Sequence, residues 1–379
     1  MKKIVTVVGA RPQIIKAAAI SRAIKSNFIN EITEIIVHTG QHYDANMSQV
    51  FFDELGIPNS NYNLQVGSGS HGVQTAKMLE GIEQILLKEK PDAILVYGDT
   101  NSTLAGAIAA SKLHIPVVHV EAGLRSFNKK MPEEINRILC DHSATLLFSP
   151  TDAGYQNLIR EGFNANAQPP YNNDNPYIVH CGDVMYDNSL FFEQEAISKS
   201  EILKSISIPY VLVTVHRAEN TDNPKALNQL FEAFNHFTQK FKMSIVLPLH
   251  PRTAHLLSKV LHADLYQSIK QNNLIQIIEP VSFLDMIALE SNATLVATDS
   301  GGVQKEAYFF KKPCIILREQ TEWTELVESG AAILTGTDKN KIDAAFETIL
   351  NTELSLQFKP IFGNGKAADF ICKSIIEKL

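Results

Sequence analysis

Cysteine is scarce. The four present, Cys140, Cys181, Cys314 and Cys372, are too far apart to form a CxxC pair, which offers no cysteine-ligated metal centre and suits a reducing cytoplasm. No continuous apolar run approaches the roughly 20 residues needed to span a bilayer. The N-terminus enters a strand-like segment, Lys3–Val8, without the cleavage-site pattern of a signal peptide, so a cytoplasmic location is expected. Positive charge is also in deficit: a net charge of −7 argues against general affinity for nucleic acid or an anionic membrane. The dinucleotide fingerprint G-x-G-x-x-G, the phosphate loop G-x-x-x-x-G-K-[ST] and the zinc spacing HExxH are all missing. No cofactor and no metal is therefore expected.

What the chain has in abundance is alternation. Strand-like runs recur between helix-length amphipathic stretches: Lys3–Val8, Ile32–His38, Asp92–Tyr97, Pro116–Val120 and Ala144–Ser149 form one series. After a polar, aperiodic loop at Asn164–Pro176 and a strand at Tyr177–Cys181, a second series runs through Tyr210–Val215, Ser244–Leu249, Leu274–Ile278, Ala293–Ala297, Pro313–Leu317 and Ala331–Leu334. A chain of 379 residues with 45% apolar content has the length and core for two domains. The expected class is α/β, with two doubly wound domains covering residues 1–182 and 183–365 and a hinge near Gly182–Asn188.

Two successive strands of the first series end in acids, Asp99 in Tyr97-Gly98-Asp99-Thr100 and Glu121 in His119-Val120-Glu121-Ala122-Gly123. Open α/β sheets bind ligands beyond the carboxyl ends of their strands, so both acids point to one crevice. Asp99 alone reads equally well as a cap for the following helix; the second acid favours chemistry. A third acidic site, Pro132-Glu133-Glu134-Ile135-Asn136-Arg137, starts a helix on whose face Glu133, Asn136 and Arg137 recur, a pattern also found on surface ion-pair helices.

Two turns resemble anion sites. Gly9-Ala10-Arg11-Pro12 closes the first strand and leads into a helix carrying Lys16. Ser300-Gly301-Gly302 follows a strand of the second series, where paired glycines open the backbone N–H groups to a bulky anion and Glu306, one turn on, is placed to bind a ribose. His216 and Arg217 end the strand Tyr210–Val215, and His250-Pro251-Arg252 repeats that arrangement. Phe283 is available to stack on a base, or to fill core. Gln41 and His42, in Thr39-Gly40-Gln41-His42-Tyr43-Asp44, suit sugar hydroxyls.

Together these segments resemble the non-hydrolysing UDP-N-acetylglucosamine 2-epimerase family over nearly the whole chain. Gly9-Ala10-Arg11-Pro12-Gln13, His216-Arg217-Ala218-Glu219-Asn220, Leu249-His250-Pro251-Arg252-Thr253 and Arg318-Glu319-Gln320-Thr321-Glu322-Trp323 are most similar to the branch acting on UDP-2,3-diacetamido-2,3-dideoxy-glucuronate. N-acetylglucosamine members typically carry a second Arg where this chain has Ala218, and an Asn-Pro pair shortly after the His matching His250; the departure bears on the sugar, not on the reaction.

The resemblance implies two Rossmann-like domains of the glycosyltransferase-B type with the active site in the inter-domain cleft, and a final helix at about 366–379 packed back on the first domain. It also implies a cytoplasmic homodimer making precursors of surface polysaccharide from a UDP-sugar substrate. By position, Asp99, Glu121, Glu133 and His216 become catalytic. Arg11, Lys16, Arg137, His250, Phe283, Ser300, Gly301, Gly302 and Glu306 become substrate- or UDP-binding, and Gln41, His42 and His250 match an allosteric pocket of some relatives. The choice of Glu133 over Glu134 comes from the family pattern; helical spacing leaves both open. A hydrolysing epimerase and a retaining glycosyltransferase of the same architecture are the competing activities.

Overall fold

The structure is a computed structural model that describes residues 1–41, 59–249, 251–351 and 358–379. The expectations for His42 and His250 fall outside those residues. By contacts the chain divides into two compact units, Met1–Asn188 with Pro360–Leu379, and Ser189–Lys359.

The first unit carries seven strands: β1 (Lys2–Val8), β2 (Ile32–His38), β3 (Tyr62–Asn63), β4 (Ala93–Tyr97), β5 (Val117–Val120), β6 (Leu146–Ser149) and β7 (Tyr177–His180). They lie in the order β3-β2-β1-β4-β5-β6-β7, every pairing parallel. The second unit carries β8 (Tyr210–Thr214), β9 (Ser244–Pro248), β10 (Ile275–Ile278), β11 (Leu295–Thr298), β12 (Cys314–Ile316) and β13 (Ala332–Leu334). Its order is β10-β9-β8-β11-β12-β13, again all parallel. The doubly wound α/β expectation holds for each unit. Strands covered by helices on both faces need apolar residues at every position rather than at alternate ones, and Ala93–Tyr97 and Tyr210–Thr214 are buried throughout.

Helices supply the covering layers. In the second unit Pro224–Phe241 begins with Asn223, whose side chain accepts from the Lys225 and Ala226 amides, and with Pro224 in the first turn. It then buries Leu227, Leu230, Phe231, Phe234 and Phe237, one stripe at helical spacing, against that unit's sheet. Each such side chain contributes about 1.5–3 kcal/mol of burial free energy. In the first unit the terminal helix Ala367–Lys378 is capped by Asp187, whose carboxylate accepts from Ala367 N at 3.1 Å and Ala368 N at 2.7 Å. No helix among the described residues is long and apolar enough to cross a membrane.

In both sheets the order reverses beside the first strand, between β1 and β4 and between β8 and β11. Connections leave in opposite directions there, so the strand ends stand open to a ligand. The sequence motifs fall on those ends.

Candidate active site

At the first unit's switch point, Gln13 fixes the turn after β1. Its Oε1 accepts from Gly9 N at 2.9 Å and Ala10 N at 3.2 Å, while Nε2 donates to the Tyr97 carbonyl at 3.0 Å and to Thr103 Oγ1 at 2.9 Å. One buried amide thus joins the end of β1 to the end of β4 and satisfies N–H groups left over at the helix start. Arg11 stands exposed on the first turn of the helix Arg11–Asn27.

The acids follow from register. Tyr97 of β4 pairs with Val120 of β5, so the chain leaves both strands at one edge and presents Asp99 and Glu121 together. Each faces its own cation. Glu121 pairs with Lys16, both side chains little exposed, and Asp99 Oδ2 lies 2.6 Å from Arg137 Nη2. Gly98 has φ +62°, and a Cβ there would sit 3.1 Å from Glu121 Oε2 and 3.2 Å from Lys16 Nζ. The positive φ favours glycine there, and a Cβ would also press on both side-chain ends. Glu121 also lies in the left-handed region, φ +73°, which an L-residue adopts at a cost.

On the helix Pro132–Asp141, Glu134 is buried and accepts from Ser126 N at 2.8 Å, Ser126 Oγ at 3.0 Å and Phe127 N at 2.9 Å, with Arg137 Nη1 at 2.8 Å. It anchors the preceding loop. Glu133 is exposed, and Asn136 Nδ2 holds the Asp99 carbonyl at 2.8 Å. Gln41 accepts from Ser102 Oγ at 2.7 Å, at the start of the helix Asn101–Lys112. Lys16 and Arg137, expected on the nucleotide, are here brought to the two acids.

The second unit repeats the device with other chemistry. Thr214 and Thr298 are paired in register on β8 and β11, so His216 and Ser300 leave the sheet side by side. Asp299, fully buried, organises the turn: its carboxylate accepts from His216 N at 3.1 Å, Arg217 N at 3.1 Å and Asn220 Nδ2 at 3.0 Å. The His216 ring, 60% exposed, also keeps its Nδ1 3.4 Å from Asp299 Oδ1. Ser300 caps the helix Gly301–Phe309 by accepting from Val303 N. At Gly301 any side chain would strike the Glu322 carboxylate, whereas at Gly302 nothing lies closer than 3.8 Å to the place of a Cβ. An anion therefore has room at the positive end of this helix. Phe283, half-buried, packs edge-to-face on Phe192 at 5.2 Å.

Glu306, on the same helix, faces Glu290, which is fully buried. Burial first, and then the neighbouring acid, push the Glu290 carboxyl well above its usual range. Because the folded value is the higher one, Glu290 favours the fold below the ordinary carboxylate range and ceases to as pH rises through the folded value. Glu290→Gln is accordingly expected to leave the unfolding midpoint unchanged near pH 4. At higher pH it should gain about 1.4 kcal/mol per pH unit until the wild-type carboxyl ionises in the fold. Parallel stability curves for the two proteins would contradict this.

Sequence reasoning gave Gln13, Glu134 and Asp299 no role of their own. Gln13 carried a signal, a glutamine at the third helical position, where capping partners sit. Asp299 begins the Ser300 turn and has the short polar side chain that such turns use.

Two Rossmann-like units with polar turns at their switch points have the glycosyltransferase-B type of fold. Residues 24–376 match the family described as UDP-N-acetylglucosamine 2-epimerase. The chain belongs to that family, whose members are isomerases. It is 53% identical to a UDP-N-acetylglucosamine 2-epimerase homolog of Methanococcus maripaludis over 90% of each chain. It is 48% identical to the UDP-2,3-diacetamido-2,3-dideoxy-D-glucuronate 2-epimerase of Pseudomonas aeruginosa over 98% of each. Among solved structures, the UDP-GlcNAc 2-epimerase of Methanocaldococcus jannaschii in complex with UDP-GlcNAc and UDP superposes with a TM-score of 0.81, at 44% identity and 99% coverage of both chains.

Proposed function

We propose that this chain inverts C2 of a UDP-2-acetamido sugar by eliminating UDP and adding it back, without releasing the sugar. The observation that carries the reading is the pair of carboxylates, Asp99 and Glu121, delivered to one sheet edge by adjacent strands and each matched to a cation.

The chemistry demands such a pair. The C2 hydrogen of a glycosyl nucleotide has no neighbouring carbonyl to stabilise a carbanion, so simple deprotonation is closed. If a carboxylate takes the C2 proton as the C1–O bond breaks, the electron pair forms the C1–C2 double bond of a glycal and the negative charge leaves on UDP. Re-addition delivers a proton to the opposite face of C2 as UDP re-forms the C1–O bond. Two proton-handling groups are needed, and we assign them to the acids Asp99, Glu121 and Glu133 with His216. Positioned acid–base groups supply about 10²–10⁴-fold, so stabilising the departing diphosphate must carry much of the rest. Arg11, the N–H groups at Ser300–Gly302 and the helix field behind them are assigned that task, with Glu306 on the ribose.

The reading extends to a homodimer in the cytoplasm feeding surface polysaccharide synthesis. Similarity to the Pseudomonas aeruginosa enzyme, with Ala218 in the His216 motif, makes the 2,3-diacetamido uronate the first substrate to try. The test is incubation with UDP-N-acetylglucosamine and, separately, the diacetamido uronate, in D₂O and without acceptor, followed by NMR. The expected result is C2 inversion with one deuterium incorporated and no accumulation of UDP. Stoichiometric free UDP would mark a hydrolysing enzyme, and no exchange without an acceptor would favour a transferase.

A further inference from the structure

Val117, Val118 and Val120 of β5 are buried and apolar; the residue among them, His119, is equally buried and polar. Its Nδ1 lies 2.7 Å from Asp141 Oδ1 and its Nε2 2.8 Å from the Gly98 carbonyl oxygen. A carbonyl oxygen only accepts. Asp141 only accepts as well, since its carboxylate also takes the Gly123 amide at 3.0 Å and pairs with Arg125 Nη1 at 2.7 Å. Both ring nitrogens therefore face acceptors, Asp141 on one side and the Gly98 carbonyl on the other. Beyond it Arg125 reaches Glu161 at 2.7 Å, so polar contacts run unbroken along the chain His119, Asp141, Arg125, Glu161. Replacing such a buried chain by packed apolar side chains is often neutral or stabilising, so stability alone does not account for it.

What the chain of charges does is visible in where it is tied. Gly98 is the residue before Asp99, and it is held by β5 at both ends: its amide donates to the Val120 carbonyl at 3.0 Å and its own carbonyl accepts from His119. Gly123 lies two residues after Glu121 as His119 lies two before it, and Gly123 is held by Asp141. Glu121 sits between these ties in its left-handed conformation, its amide and that of Ala122 sharing the Phe148 carbonyl at 3.0 Å each. We propose that the His119–Asp141 pair is a positioning device that clamps the backbone on both sides of Glu121 and beside Asp99, fixing the two acids relative to each other. This rests on the epimerase reading, in which both acids belong to the group that handles the C2 proton. Neither His119 nor Asp141 touches the substrate; both act through the backbone.

The test compares wild type with His119→Gln and Arg125→Lys. Gln retains one donor but cannot span Gly98 and Asp141, and Lys keeps a cation on Asp141 while losing the fork onto Glu161. Expected is a fall in kcat of about 10²-fold for the first and about 10-fold for the second, with KM and the dissociation constant for UDP within twofold of wild type. A folded His119→Gln protein with kcat within threefold of wild type overturns the proposal, as does a parallel loss of kcat and UDP affinity. The unmutated protein, labelled with ¹⁵N-histidine, gives a readout independent of any variant's folding: both ring nitrogens of His119 are hydrogen-bonded, one to Asp141 and one to the Gly98 carbonyl, and a ring nitrogen without a hydrogen bond overturns the proposal. Absence of C2 exchange in wild type with intact UDP binding would instead sink the epimerase reading on which it rests.

Discussion

Glu121→Gln is expected to lower C2 exchange and epimerisation by about 10³-fold or more while UDP still binds within a few-fold of wild type. The substitution keeps shape and removes only the capacity to take or give a proton at that place. It also leaves Lys16 facing an amide instead of a carboxylate, in a setting where both side chains are only about a tenth exposed, 12% and 11%. Asp99→Asn makes the same change opposite Arg137 and should cost a similar factor. If the two acids serve as base and acid of one cycle, losing either stops the cycle, so the double variant should be little slower than the worse single one. Two single variants within tenfold of wild type would remove both residues from the chemistry. Normal UDP binding in all variants, with no turnover by wild type on any UDP-2-acetamido sugar, would make the chain a nucleotide-sugar binder.

These variants also separate what the sequence could disclose from what it could not. Strands such as Ala93–Tyr97 and Leu295–Thr298 were legible because parallel strands buried on both faces leave unbroken apolar runs. The polar residues ending those runs stand out for the same reason, which is why Asp99, Glu121, His216 and Ser300 drew attention as candidates. The strand Tyr62–Asn63 was not foreseen, since two residues carry no periodicity. Partners at long range were hidden altogether: Lys16 and Glu121 are 105 positions apart, and nothing local in either segment names the other. Helical spacing could not divide Glu133 from Glu134. The division appears in space, where Glu134 is spent on the Ser126–Phe127 backbone and Glu133 is left exposed. His119 was visible as part of a motif, but its meaning depends on Asp141 at the end of the next helix.

Asp141→Asn should be the most damaging single change to the fold among those considered, costing about 3–5 kcal/mol at neutral pH. It leaves the Arg125 guanidinium and the His119 ring facing an amide, with all three side chains at most 1% exposed. The effect should also fade with acid. Burial alone would raise the Asp141 carboxyl, but the hydrogen bond and charge of His119, together with Arg125, outweigh it and hold the group below the usual aspartate range. Glu161 is depressed too, chiefly by its hydrogen bond from Arg125. A folded-state value below the unfolded one means that the fold binds fewer protons. The stabilisation is therefore complete above about pH 4 and is lost as pH falls through the depressed value. Asp187 works the other way, its carboxyl raised by burial to about 6, so its contribution declines as pH climbs toward that value. The gap in unfolding midpoint between wild type and Asp141→Asn is thus expected to be wide at pH 7, steady down to about pH 4 and narrowing below it. A gap that keeps its full width at pH 2.5, or one worth less than about 1 kcal/mol at pH 7, would mean that the buried carboxylate does not hold His119 and Arg125 in place.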